Sequence, residues 1–269
     1  MSAETIMAGL YPPVGDEIWN EKIHWRPTPV HSEPLFIDHS VGRGAYCQKY
    51  NQDLAKVNSG RYLRTHNKED KDLLKYLSKY TGDIFANINQ IPELFDILTV
   101  EKNHNLVLPN WTHAVYPDAL AKVVLELSIM RTKNPELTKL SIGPLLNKIL
   151  LQFQYVSKNK KVIGKMDGDK RKFEIYVGNS TLIYDSLHAL KVAPVGVVPF
   201  GAALIFELWN SPENNYVKVL YRPSPQINNN LQQLKINPCK SLRCPYDIFT
   251  STLKNISVND IEWEHLCQQ

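Results

Sequence analysis

The chain has 269 residues, of which 43% are hydrophobic and 22% are charged, and its formal net charge is +4 at pH 7. This length and composition are typical of a globular protein with one large or two modest cores. No run reaches the roughly 18 apolar residues that a membrane helix needs, so we expect no membrane span. The Lys and Arg residues are spread along the chain without a nucleic-acid-binding motif, which argues against nucleic acid as a partner.

Apolar residues spaced three and four apart predict helices over much of the first half. The stretch 2–9 has the pattern of a helix that ends at Gly9, and the pattern from residue 46 to about 160 is mostly helical. Helices are predicted in this region at 72–80, 83–98, 117–131 and 142–156. We interpret their apolar stripes as core positions, which predicts a helical subdomain inserted between strands.

The second half alternates apolar strands with turns. A strand is predicted at 173–177, a helix from 180 to 190, and a hairpin from the strands 201–209 and 216–221. In an α/β protein, ligands and catalytic side chains collect where a strand turns into a helix. The turn Gly178-Asn179-Ser180-Thr181 is therefore the candidate functional site.

The candidate turn lacks obvious reactive groups. Neither Asn179 nor Ser180 is a good acid, base or nucleophile without help from a neighbour. His31 is another candidate, in an extended segment 23–31 that contains two prolines, but no carboxylate partner can be identified in the sequence. A structural role is therefore the more common fate of such a histidine.

Four cysteines restrict the fold further. Cys239 and Cys244 form one close pair, whereas Cys47 and Cys267 lie far apart in the sequence. A zinc site would need a second close pair or nearby histidines, so disulfides are the better interpretation and no metal site is predicted.

The glycosylation sequons agree with an oxidising compartment. N-x-S/T sequons begin at Asn110, Asn179 and Asn255, and together with the cysteines they indicate the secretory pathway. The first residues, however, open directly into an amphipathic pattern instead of a signal peptide. Either the protein is cytosolic and its cysteines are incidental, or Met1 is not the true start, and we favour the second explanation.

Six short stretches resemble the histidine acid phosphatases, in particular the lysosomal, prostatic and insect venom enzymes. They follow one another in order and cover almost the whole chain: 1–13, 25–31, 46–47, 108–111, 143–146 and 199–208. The resemblance implies one α/β domain, 1–269, that lacks its N-terminal part. A phosphoglycerate-mutase-like core sheet flanked by helices would span 1–45 and 161–269, and a mostly α-helical cap subdomain would span 46–160. It also implies that Cys47 pairs with Cys267, and Cys239 with Cys244.

The reaction of this family needs particular residues, and each of them can be sought in this sequence. In this family a phosphomonoester transfers its phosphoryl group to a histidine, arginines hold the phosphate, and an acid protonates the leaving alcohol, without a cofactor. The nucleophile lies in an Arg-His-Gly motif, but no Arg-His dipeptide occurs in this chain, and we expect that motif upstream of Met1. The second histidine and the acid form a His-Asp pair, and Asn179 and Ser180 stand at those two positions.

The resemblance therefore implies an acid phosphatase-like protein that is inactive or strongly weakened. The alternatives are a secreted pseudophosphatase that binds a small ligand in the former cleft, and an active phosphatase that uses unconventional residues. Asp185 and His188 are poor substitutes, because they lie one to two turns along the predicted helix. The expected ligand is a phosphomonoester or another small molecule, and the expected location is secreted or lysosomal.

Two further expectations concern modification and assembly. We expect glycans at Asn110 and Asn255, whereas Asn179 should remain unmodified if its turn is buried in the cleft. Members of the family often form homodimers, which makes a homodimer one expected state of this chain.

Overall fold

A computed structural model describes most of the chain. The described residues are 1–34, 36–42, 44, 46–60, 68, 70–132, 134–158, 173–192, 195–211, 214–224 and 231–268. They form a mixture of helices and one antiparallel sheet, so the predicted combination of helix and sheet is confirmed.

Nine helices and four strands occur within the described residues. The helices are α1 Ser2–Leu10, α2 Gln48–Ser59, α3 Lys71–Thr81, α4 Ile91–Asn103, α5 Asp118–Thr132, α6 Pro135–Lys158, α7 Ser180–Ala189, α8 Tyr246–Leu253 and α9 Asp260–Cys267. The strands are β1 Ala203–Trp209, β2 Tyr216–Arg222, β3 Gln232–Leu234 and β4 Cys244–Pro245. None of the described helices has both the length and the apolar character required to cross a membrane.

One predicted helix begins later than its apolar pattern indicates. The prediction 83–98 becomes α4, which starts at Ile91 after a short 3-10 turn. The side-chain oxygen of Gln90 accepts hydrogen bonds from the backbone N–H groups of Ala86 (2.7 Å) and Asn87 (3.2 Å). These contacts satisfy backbone donors in a turn, so the regular helix begins only after them.

The predicted hairpin is confirmed, whereas the strand predicted at 173–177 is wrong. β1 and β2 pair antiparallel from Ala203 opposite Arg222 to Trp209 opposite Tyr216, and β2 also pairs with β3 and β4. Residues 173–177 lie outside this sheet, and no strand is formed there in the part of the chain that the structure describes. An apolar alternation favours extended backbone, but a strand also needs a neighbour to share its hydrogen bonds.

Three apolar clusters hold the described elements together. The first cluster joins α6, α7, α8 and β2, and the second joins α3, α4 and α5. The third cluster surrounds the disulfide between Cys47 and Cys267 and includes the buried Trp263 of α9. The second disulfide links Cys239 to Cys244, so both bonds join the pairs that the resemblance implies. The long bond fixes the start of α2 to the end of α9.

Candidate functional site

Asn179 occupies the N-cap of α7. Its backbone is extended (φ −96°, ψ 173°), and its side-chain oxygen accepts a hydrogen bond of 3.2 Å from the backbone N–H of Thr181. Its carbonyl oxygen accepts the N–H of Leu182 at 3.1 Å. The first turn of a helix has N–H groups without helical partners, and an N-cap asparagine satisfies one of them. The Asn179 amide oxygen is therefore committed to the helix.

Gly178 brings the turn close to two apolar side chains. A Cβ atom at this position would lie 2.1 Å from Cδ1 of Leu182 and 2.9 Å from Cγ1 of Val41. Only glycine fits here without movement of these neighbours. Since Leu182 is buried in the first cluster, the backbone that carries Asn179 is set by packing.

The turn itself faces solvent. Gly178, Asn179 and Ser180 are all exposed, so the condition under which Asn179 was expected to escape glycosylation is not met. Ser180 is the first residue of α7, and its hydroxyl does not titrate near the pH at which an acid phosphatase works. The turn therefore presents a hydroxyl group and a capped amide, and neither can act as a general acid.

The two substitute acids on α7 lie in other environments. Asp185 is buried, and its carboxylate accepts a hydrogen bond from the hydroxyl of Ser141 in α6. His188 stands near the end of the helix; its surface is exposed, but partial desolvation by neighbouring atoms lowers its pKa and so disfavours the protonated form that could donate a proton. Asp185 therefore joins two helices, and His188 is poorly suited to act as an acid.

The remaining sequence candidates do not add a reactive group at the turn. His31 is exposed in the extended N-terminal segment. Among the described residues, no group of three or more His, Cys, Asp or Glu side chains is arranged to hold a metal ion. Asn110 and Asn255 are both exposed, as an acceptor of a glycan needs to be.

Tyr184, which carries no local signal in the sequence, ties α7 to the loop before β1. Its hydroxyl accepts the backbone N–H of Val198 (2.7 Å) and donates to the carbonyl oxygen of Gly196 (3.3 Å). Burial raises the pKa of Tyr184, so this hydroxyl stays protonated and holds the loop before β1 against the helix. These partners are distant in sequence, and no local signal could have identified them. The cap at Asn179, in contrast, has a local signal: an asparagine directly before a helical pattern.

The described residues define a disulfide-linked protein of mixed helix and sheet, and comparison with known proteins shows what the chain is similar to. No protein-family model matches the chain. It is 26% identical to the venom acid phosphatase of Apis mellifera over 264 residues, which cover 95% of this chain and 64% of the relative. It is also 26% identical to the prostatic acid phosphatase of Rattus norvegicus, with coverage of 99% and 68%, and to the lysosomal acid phosphatase of Xenopus laevis, with coverage of 100% and 60%. The predicted resemblance is confirmed, and the protein is histidine acid phosphatase-like.

The capping role of Asn179 predicts a specific pattern of stability. Asn179→Ala should lower the free energy of unfolding by about 1 kcal/mol, because the N–H of Thr181 loses its acceptor, whereas Asn179→Asp should retain most of the stability. Urea unfolding at neutral pH measures both differences. Equal losses in the alanine and aspartate variants would contradict the capping role.

Proposed function

We propose that this acid phosphatase-like protein has lost the family reaction, or retains it only in a strongly weakened form. One observation carries the proposal: the side chain of Asn179 caps α7, and the next residue is Ser180. By the resemblance, these positions match the catalytic histidine and the proton donor. In this chain, a side chain that caps a helix occupies the position of the histidine, and a hydroxyl group occupies the position of the proton donor.

The chemical consequence depends on the leaving group. An alkoxide is a poor leaving group, so its departure from phosphorus needs a proton from a positioned acid, and general-acid help is worth roughly 10²- to 10⁴-fold in rate. Ser180 cannot give that proton, and Asp185 is buried against Ser141. A phenolate with electron-withdrawing groups leaves without much assistance. Any residual activity should therefore be confined to activated aryl phosphates.

We also propose the phosphoglycerate-mutase-like arrangement, with a core at 1–45 and 161–269 and a helical cap at 46–160. Two features support it. Helices α3, α4 and α5 form an apolar cluster of their own, and the sheet packs with α7 and α8 in another, which also includes α6 from the C-terminal end of the proposed cap. The cleft of such a fold would lie between these two bodies, and the proposal assigns the candidate turn at the start of α7 to its edge.

The proposed location is secreted or lysosomal, with glycans at Asn110 and Asn255. Both disulfides support an oxidising compartment, both asparagines are exposed, and the names of the relatives include a venom and a lysosomal enzyme. The proposed ligand is a small phosphomonoester, in line with the names of these relatives, and a homodimer is the proposed assembly.

A pseudophosphatase that binds a small ligand is the second candidate function. The observation in its favour is that the scaffold around the turn is well packed: Leu182 is buried in the first cluster, and Gly178 lies close to Val41. A well-packed turn that lacks a general acid is suited to bind a small ligand without hydrolysing it. Titration calorimetry with inorganic phosphate and an alkyl phosphate tests this candidate, and the absence of heat from a folded sample would exclude these ligands.

Hydrolysis of two substrates from pH 4 to 7 tests the main proposal. We expect no detectable turnover of an alkyl phosphomonoester and at most slow turnover of an activated aryl phosphate. The Asn179→Ala variant is the matched control, because it removes the amide from the turn without adding an acid. Alkyl phosphate turnover that is well above the rate without protein, and that disappears in this variant, would overturn the proposal.

A further inference from the structure

A groove opens between α3 and the loop that follows this helix. Its volume is about 520 Å³, which falls within the range of small-molecule sites in proteins. Leu74 of α3 is buried, and Phe85 of the loop packs against the second apolar cluster. The residues that line the groove are Lys71, Leu74, Lys75, Ser78, Phe85 and Ala86. The groove therefore rests on the apolar cluster of α3, α4 and α5.

The polar groups along the middle of the groove already have partners. The hydroxyl of Ser78 donates a 2.9 Å hydrogen bond to the carbonyl oxygen of Leu74 and accepts the backbone N–H of Phe85 at 2.9 Å. The backbone N–H of Ala86 donates to the side-chain oxygen of Gln90 at 2.7 Å. Because a hydroxyl group has only one proton, Ser78 has none left to donate to a ligand. This part of the groove offers a ligand mainly apolar contacts.

Two ammonium groups supply the remaining side-chain donors of the groove. Lys71 and Lys75 are exposed and stand one turn apart on α3. Within the described ranges, neither lysine forms an ion pair with a carboxylate. Asp72 lies about 100° around the helix from Lys71 and does not line the groove. Like charges four positions apart destabilise a helix slightly, and an anion bound to both lysines would offset this repulsion.

We propose that this groove binds a single-chain anionic amphiphile, namely a fatty acid. The carboxylate would pair with Lys71 and Lys75, and the alkyl chain would lie against Leu74 and Phe85. A neutral apolar molecule would leave the two charges unused, and a small anion would leave the apolar wall uncovered. The groove belongs to the second apolar cluster, whereas the candidate turn borders the first. The proposal is therefore independent of whether the protein hydrolyses phosphate.

The alkyl chain should contribute to affinity in proportion to its length. Each methylene group that leaves water adds to the free energy of binding, but an open groove buries each group only in part. We therefore expect decanoate to bind about three- to tenfold more tightly than octanoate. Titration calorimetry with both fatty acids, at concentrations below micelle formation, measures this ratio.

The charge of the head group is tested with ligands and variants of the full chain at pH 7.5. Decyltrimethylammonium has the same alkyl chain with the opposite charge, and it should not bind measurably. Lys71→Gln combined with Lys75→Gln should weaken decanoate binding about three- to tenfold, as the loss of two exposed ion pairs does. Lys240→Gln combined with Lys254→Gln is the matched control, because it removes the same charge from two exposed lysines elsewhere. This control should leave the affinity unchanged.

A third variant locates the alkyl chain. Ala86 is exposed and keeps its backbone N–H in Ala86→Trp, so this variant should fold, and its indole should fill the groove and abolish decanoate binding. Asn179→Ala should bind decanoate normally, which separates this site from ligand binding at the candidate turn. A folded protein without saturable decanoate binding would overturn the proposal. So would an affinity that either the double lysine variant at positions 71 and 75 or Ala86→Trp leaves unchanged.

Discussion

Replacing Cys47 and Cys267 together by alanine is expected to lower the free energy of unfolding by on the order of 5 kcal/mol. The bond closes a loop with a sequence separation of 220 residues, and the chain-entropy model assigns a cost of this size to a loop that long. The same bond lies in the apolar cluster that also contains Leu140 and Trp263, so its removal also weakens the packing of α9. Urea unfolding without reductant gives the free energy for both proteins.

The second disulfide provides a matched control for this prediction. Cys239 and Cys244 are separated by only five residues, for which the same model gives about 2 kcal/mol. Replacing this pair by alanine should therefore cost less than half as much as replacing Cys47 and Cys267. A loss for the short loop that equals or exceeds the loss for the long one would show that loop closure does not determine the stabilisation.

Gly143→Ala is expected to lower the free energy of unfolding by about 2 kcal/mol, as overpacking in a closely packed core does. Gly143 lies inside α6, where an added Cβ would be 2.5 Å from the carbonyl oxygen of Ile256 and 2.7 Å from Cγ1 of Val258. Its own carbonyl oxygen accepts the N–H of Val258 at 3.3 Å. The backbone between α8 and α9 would have to move away to make room for a methyl group.

Gly9→Ala is the matched control, because Gly9 is also helical but has no neighbour within 4 Å of an added Cβ. In α1 the substitution should be neutral or should stabilise the protein by up to about 1 kcal/mol, since alanine favours the helix more than glycine does. Thermal and urea unfolding should therefore show a loss of stability for Gly143→Ala and no loss for Gly9→Ala. A stabilising effect at Gly143 would contradict the close approach of α6 to Val258.

Much of the fold follows from local patterns. The helices α3, α5, α6 and α7 were predicted because apolar residues recur at helical spacing over several turns, and the hairpin of β1 and β2 because two apolar runs flank a polar turn. The predicted first and last residues of the helices were less accurate. Side chains such as Gln90 bind backbone donors in turns, and these contacts determine where α4 begins.

Long-range pairing could not be predicted in the same way. Residues 173–177 have the composition of a strand, yet strand formation depends on a neighbour that the local sequence does not reveal. The pairing of Cys47 with Cys267 came from the resemblance and not from the spacing of the cysteines. The stack of His39 on Trp263 joins residues more than 200 positions apart, and neither residue carries a local signal for the other.

The assignment of the candidate site at Asn179 and Ser180 stays a prediction, whereas the structural role of Asn179 is visible in the structure. The resemblance placed Asn179 and Ser180 at the family's His-Asp positions. Neither an amide nor a hydroxyl group can serve as a general acid near the pH at which an acid phosphatase works. The N-cap role of Asn179 could have been read from its place before a helical pattern. The close approach of Gly178 to Val41 required the structure, because these residues lie far apart in the sequence.

Trapping of a phosphoryl group on the protein tests the central claim most directly, because the family reaction passes through a phosphohistidine. The full chain is mixed at pH 5 with an alkyl phosphomonoester labelled with ³²P, and the reaction is stopped in alkali, where a phosphohistidine survives. Our account predicts no more acid-labile label on the protein than on a heat-denatured sample. About one acid-labile phosphoryl group per protein molecule, formed before the substrate is consumed, would contradict the loss of the family reaction.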